Sequence, residues 1–227
     1  MSFLAAESST HRRSFLGRLA GGALAVAGLA AAERSTLEAE EVMGEPTAAD
    51  EWLSAINGTY RQFFDAVSVN DGFPFAFAMT FMNTISESYK TSDKNISAVV
   101  GLRHFAIPLA FNDGVWAKYK IGEMLKVNDP ATKEPALRNP YAYVKEGELH
   151  FTGMAFEKLQ ARGVIFTCCN VALTVLSGMS AQHAGLPAEG ARQEWLAGMF
   201  RGVHVVPSGV MAVNRAQKKG CTYCYAG

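Results

Sequence analysis

The chain has 227 residues, of which 49% are apolar and 19% are charged, and its formal net charge at pH 7 is zero. This balance is typical of a globular protein, and it excludes the strongly basic surface that a nucleic-acid-binding protein needs. It also gives no electrostatic attraction to an anionic membrane.

The first 32 residues have the layout of an export signal. A basic segment at residues 11–17, HRRSFLG, precedes an apolar run that ends in three alanines at residue 32. The paired arginines followed by Ser-Phe-Leu resemble a twin-arginine signal, and the apolar run is shorter than the roughly twenty residues that span a bilayer. We therefore expect a signal over residues 1–32, a linker over 33–47 and a periplasmic domain over 48–227, with membrane contact only through the signal.

Strand and helix patterns alternate along the domain. The predicted helices cover residues 47–56, 74–89, 108–121, 155–162 and 171–179. The predicted strands cover residues 61–67, 97–104, 164–169, 203–206 and 221–225. Periodicity fails near residues 122–152, where repeated X-Pro pairs indicate an insertion. Because the strands are apolar on both faces, we predict a three-layer α/β/α domain with a mainly parallel sheet of about five strands.

Polar side chains follow several of the predicted strands. In a parallel sheet every strand ends at the same edge, and ligands of such folds bind in the crevice there. The candidate site residues at this edge are Asp71, Arg103, His104, Cys168, Cys169, Asn170 and Ser208. No phosphate-binding glycine loop, paired-carboxylate motif or nucleophile elbow is present, so we predict neither a cofactor nor a metal.

Cys169 is the strongest candidate for a nucleophile. It ends a predicted strand and precedes a predicted helix, so the positive helix end, Arg103 and a protonated His104 would stabilise its thiolate. Asn170 is expected to orient the sulfur or to cap the helix. Successive strand residues face opposite sides of a sheet, so only one of Cys168 and Cys169 is expected to face the crevice. The alternative is that both thiols are core residues.

Cys221 and Cys224 lie together in the last predicted strand. Their α-carbons would be roughly 10 Å apart and their side chains would face opposite sides, so a disulfide between them is not favoured. We predict structural packing for both thiols, with a disulfide, a metal or a partner thiol as the alternatives.

The last 65 residues resemble the DsrE/DsrF-like family of small sulfur-relay α/β proteins. Three stretches carry the resemblance. The first is residues 162–166, which run into Cys169 and Asn170, and the second is residues 205–210, which contain a valine-proline turn. The third is Gln217 followed by residues 220–223, which end in tyrosine. Weaker likeness extends back to about Arg61. The insertion near residues 122–152 is not part of the minimal family domain.

The resemblance implies a parallel three-layer fold, assembly as trimers or hexamers, and a persulfide on one cysteine, a role that transfers to Cys169. We therefore expect an exported protein that performs sulfur transfer or thiol redox chemistry, with a sulfur-carrier or redox protein as its partner. Two alternatives belong to other classes. One is a non-catalytic oligomeric module that binds a small ligand, and the other is a metal-binding protein that uses Cys169, His104 and Cys221.

Overall fold

Five parallel strands form one sheet at the centre of the fold. The computed structural model describes residues 48–227 apart from 146 and 150, so the predicted signal and linker lie outside the described residues. The strands are β1 (Tyr60–Ala66), β2 (Ile96–Leu102), β3 (Ile165–Cys169), β4 (Val203–Val206) and β5 (Thr222–Tyr225). Their order is β4-β3-β2-β1-β5, and every neighbouring pair is parallel. The predicted parallel sheet is confirmed, and each strand lies within two residues of its predicted bounds.

Helices connect the strands and cover both faces of the sheet. The α-helices in the described part of the chain are α1 (Phe73–Tyr89), α2 (Asp113–Lys118), α3 (Ile121–Leu125), α4 (Phe156–Ala161), α5 (Asn170–His183), α6 (Ala191–Ala197) and α7 (Gly209–Lys218). Shorter 3-10 helices cover Ala48–Ala55, Asn70–Gly72, Asp93–Asn95, His104–Ala110 and Thr152–Met154. In the residues described, no helix has the length and apolar character that crossing a membrane requires.

Two separate apolar cores lie on opposite faces of the sheet. The larger core packs residues such as Phe75, Trp116 and Phe166 between the sheet and helices α1 to α6. The smaller core packs Trp52, Phe63 and other residues beneath α7 and the first 3-10 helix. Strand β2 is buried along its whole length, as a strand covered on both faces must be. The predicted three-layer α/β/α architecture is therefore confirmed.

The single helix predicted over residues 108–121 is wrong. The chain instead forms a 3-10 helix, an extended pair of residues and then α2 and α3. Phe111 makes an isolated antiparallel bridge with Met199, which pulls this part of the chain out of helical geometry. Asn112 then caps α2 with its side chain, and Lys120, at a left-handed φ of 49°, separates α2 from α3. The bridge joins residues far apart in sequence, so local periodicity could not reveal it.

The predicted insertion is irregular but firmly attached. Among its described residues, 126–151 contain turns and one isolated bridge but no helix or strand. Asn139 is 1% exposed, and its amide nitrogen donates to the carbonyl oxygens of Leu109 at 3.1 Å and Phe111 at 2.9 Å. Its side-chain oxygen accepts from the Tyr141 N–H at 3.1 Å. A buried amide with this many partners fixes the insertion to the domain.

Candidate functional site

A cleft of about 420 Å³ opens at the carboxyl edge of the sheet, and we call it the Cys169 cavity. Arg103 and His104 enter it directly after β2, Cys169 from the end of β3 and Ser208 from the turn after β4. The structure thus brings together four of the seven predicted site residues. The other lining residues, mostly apolar, are Phe105, Val171, Ala172, Val175, Leu176, Met179, Gly209 and Val210.

Cys169 is the N-cap residue of α5. Its Sγ accepts a hydrogen bond from the Ala172 N–H at 3.3 Å, and the side chain is 6% exposed. The helix that follows has 14 residues, so the partial positive charge of its N-terminus acts on the sulfur. A backbone N–H that donates to the sulfur and a helix N-terminus both stabilise a thiolate more than a thiol.

Arg103 is held in the cavity wall by a buried carboxylate that sequence analysis missed. Its Nε donates to Asp65 Oδ1 at 2.7 Å and its Nη2 donates to Asp65 Oδ2 at 2.8 Å, while Asp65 is 2% exposed. The Tyr223 hydroxyl donates to the same Oδ2 at 2.8 Å. This two-point pairing fixes the plane of the guanidinium, which a single bond would not do.

The pairing with Asp65 also fixes the charge of Arg103. Its hydrogen bonds to Asp65 raise the pKa of the Arg103 guanidinium, burial partly opposes the rise, and the negative charge of Asp65 adds to it, with smaller contributions from Tyr223 and Cys169 in their ionised forms. Gly209 allows the guanidinium stem to lie against the start of α7, because a Cβ there would come within 2.7 Å of the Arg103 Cβ. Arg103 is therefore a fixed cation that interacts electrostatically with the Cys169 sulfur.

His104 and Ser208 line the cavity in different ways from Arg103. His104 is exposed, has a left-handed φ of 48°, and its imidazole makes no hydrogen bond to another described residue. A left-handed residue other than glycine costs roughly 1–2 kcal/mol. The Ser208 hydroxyl caps α7 by accepting from the Met211 N–H at 3.2 Å. No hydrogen bond to another described residue therefore holds the His104 imidazole in the position predicted for it, where it would stabilise the Cys169 thiolate. The Ser208 hydroxyl, in contrast, is fixed by its hydrogen bond at the start of α7.

The other three predicted site residues lie outside the Cys169 cavity. Cys168 points into the larger core with no exposed surface, and burial raises its pKa. The Asn170 side-chain oxygen accepts from Arg192 Nη2 at 2.6 Å, so it contacts α6 and does not orient the sulfur. Asp71 lines a different cavity, beside the insertion. Of the two adjacent thiols, Cys169 lines the cavity and Cys168 packs in the core, which agrees with the expectation that only one of them faces the crevice.

Asp65 could have been found from the sequence by one signal. It is a lone carboxylate near the end of an aromatic strand, FFDA, where a charge has no solvated face to occupy.

The four cysteines are all free, including Cys221 and Cys224. Among the residues that the structure describes, no group of three or more histidines, cysteines, aspartates or glutamates is arranged to hold a metal ion.

Comparison with known proteins adds little to this geometry. No protein-family model and no curated protein matches the chain. Among solved structures, the chain is similar to MTH1491, a protein of unknown function from Methanobacterium thermoautotrophicum, at 14% identity and a TM-score of 0.39. The alignment covers 73% of this chain and 98% of MTH1491.

We predict a clear order in the alkylation of the four thiols. Iodoacetamide at pH 7 should label Cys169 first, because this thiol lines an open cavity beside a fixed cation. Burial raises the pKa of Cys221 to about 11, so its thiolate fraction at pH 7 is roughly one in ten thousand. Its labelling rate should rise about tenfold per pH unit until the pH approaches that pKa. Burial also raises the pKa of Cys224, so it should react more slowly than Cys169 at pH 7, and Cys168, in the core, should stay slow throughout.

Peptide mass spectrometry of a time course at several pH values measures these rates. Protein unfolded in urea is the control, since all four thiols should then react at similar rates. Labelling of Cys168 or Cys221 in the native protein as fast as Cys169 at pH 7 would contradict the prediction.

Proposed function

We propose that this protein is an exported DsrE/F-like sulfur-transfer protein in which Cys169 carries a persulfide. One observation carries the proposal: of the four cysteines, Cys169 is the one that lines the cavity at the sheet edge, where it caps a helix and interacts with a fixed arginine. The family resemblance of the last 65 residues supports the same assignment. A thiolate in such a place is the usual nucleophile of sulfur chemistry.

The proposed step is transfer of one sulfur atom without net oxidation. The Cys169 thiolate attacks the outer sulfur of a donor persulfide, R–S–SH, and forms a new S–S bond. The donor S–S bond breaks, and the electron pair leaves with the donor as R–S⁻. Cys169 then carries –S–SH, which loses its proton readily and is stabilised as an anion by Arg103 and the α5 N-terminus.

The walls of the cavity favour one competing function. Most residues that line it are apolar, which suits retention of a small apolar ligand as well as a reaction. The competing proposal is a non-catalytic binding module in which Cys169 only caps a helix. The two differ in whether the sulfur atom of Cys169 reacts.

Sulfur loading of Cys169 separates the two functions. After incubation with inorganic polysulfide and desalting, the wild-type protein should retain sulfane sulfur that cyanide releases, because the cavity admits the donor and stabilises the product anion. Cys169→Ser should retain none, while Cys224→Ser, which removes a thiol from the outermost strand β5 and outside the Cys169 cavity, should load normally. Loading of Cys169→Ser at the wild-type level, or no loading of the wild type, would reject the sulfur-transfer proposal.

We propose further that copies of this chain assemble through the apolar surface around the mouth of the Cys169 cavity, which leaves the sulfur accessible. Val171, Val175 and Met179 recur at every fourth position of α5 and are 47–56% exposed. Phe105 and Val210, from the neighbouring elements, are 47% and 66% exposed on the same cavity. Monomeric proteins rarely expose such a continuous apolar surface, so it is suited to contact between copies.

The mass in solution tests the assembly. By light scattering, the wild-type protein should have the mass of a trimer or hexamer, as the family resemblance implies. Val175→Glu should lower that mass to the monomer, since burying an unpaired carboxylate at an interface is costly. Gln182→Glu adds the same charge to an exposed site of α5 outside the cavity and should leave the mass unchanged. A monomeric wild type, or an unchanged mass for Val175→Glu, would contradict the proposal.

Export by the twin-arginine route stays a proposal that the sequence alone supports. It rests on the paired arginines at 12 and 13 and on the apolar run that follows them. The donor and acceptor of sulfur would then be exported proteins or small molecules.

A further inference from the structure

A second cavity, of about 450 Å³, lies between the start of α1 and the insertion, and we call it the insertion cavity. Phe73 enters it from α1, while Tyr141 and Phe151 enter it from the insertion side. It shares no lining residue with the Cys169 cavity, so the proposed sulfur chemistry does not account for it. Its volume falls within the range of small-molecule sites.

The buried Tyr141 supplies a polar group without a partner. Its side chain is 4% exposed, and its hydroxyl makes no hydrogen bond to another described residue. Burial and, secondarily, the charge of Asp71 raise the pKa of this phenol, which therefore stays neutral. The ring is confined by Gly72, where a Cβ would come within 2.5 Å of it. The hydroxyl itself is not among the described polar atoms that are fully buried without a partner, so it keeps some accessible surface and can hydrogen-bond to a ligand in the cavity.

Asp71 supplies a carboxylate without an ion-pair partner at the same cavity. It makes no ion pair with another described residue, and it lies in a left-handed conformation with φ 48° and ψ 26°. Two other charged groups line the cavity, and each has a partner, although Lys133 keeps its positive charge. Glu148 accepts from Arg138 Nη2 at 2.8 Å, and Lys133 Nζ donates to the Pro130 carbonyl oxygen at 2.6 Å. The cavity therefore offers one free carboxylate beside one free hydroxyl.

Aromatic rings form much of the rest of the wall. Phe73 and Phe151 are 43% and 54% exposed, large fractions for phenylalanines that line a cavity. Ring faces attract cations as well as apolar groups. A carboxylate, a phenol oxygen and aromatic faces together suit a protonated amine with an apolar body.

We propose that the insertion cavity binds a small organic amine, with its ammonium group on Asp71 and Tyr141 and its apolar body against Phe73 and Phe151. The site belongs to the insertion and stands independently of the sulfur chemistry at Cys169. A Cys169→Ser variant should therefore bind the amine as the wild type does.

Calorimetry with three probes of similar shape tests the proposal. Phenethylamine should bind the wild-type protein, whereas 3-phenylpropionate and 2-phenylethanol should bind at least about tenfold more weakly or not at all, because they lack the cation. Asp71→Asn, at an exposed position that tolerates asparagine, should weaken amine binding by about tenfold or more. Tyr141→Phe keeps the ring and should weaken it less.

Glu134→Gln is the matched control, since it removes a carboxylate from the insertion at an exposed position that does not line the cavity. Its amine affinity should stay within about twofold of the wild type. Equal binding of the three probes, no binding of phenethylamine, or full affinity in Asp71→Asn would each overturn the proposal.

Discussion

The paired carboxylate and guanidinium of Asp65 and Arg103 hold the carboxyl edge of this sheet together. Asp65 comes from β1 and Arg103 follows β2, while the Tyr223 hydroxyl reaches the same carboxylate from β5. Gly209 lets the start of α7 close over the arginine stem. A buried pair of this kind gains little net stability, but losing one partner costs about 3–5 kcal/mol, somewhat less here because Arg103 is partly exposed. Its main consequence is positional: a cation is fixed on the wall that also carries Cys169.

Two cavities of different chemistry lie in this domain. The Cys169 cavity combines a cation and a helix N-terminus, which suit a sulfur anion, with mostly apolar walls, which suit an apolar ligand or partner. The insertion cavity has a carboxylate without an ion-pair partner, a phenol and aromatic rings, which suit a cation. The first is formed by the carboxyl ends of the strands and the helices that follow them, and the second by the start of α1 and the irregular segment that precedes α4.

The sequence was sufficient for the parallel sheet and for the edge where polar residues gather, because apolar runs and strand ends are local signals. It also predicted that one thiol of the adjacent pair faces the crevice, since side chains alternate along a strand. It could not predict the partners of those residues. The bond from Asn170 to Arg192, the bridge from Phe111 to Met199 and the carboxylate at Asp65 depend on chain segments that meet only after folding. The assignment of Asp71 to the edge site failed for a related reason, because this exposed residue lines a separate cavity that it shares with the insertion.

The most direct test of this account is the alkylation rate of Cys169 at neutral pH in a double-mutant cycle of Asp65→Asn and Arg103→Gln. Circular dichroism on each variant shows whether the fold persists. If Asp65 acts on the sulfur through Arg103, each single variant should slow the reaction several-fold, and the double variant should be no slower than Arg103→Gln alone. An unchanged rate in Asp65→Asn, or independent losses that multiply in the double variant, would contradict a sulfur site organised by this ion pair.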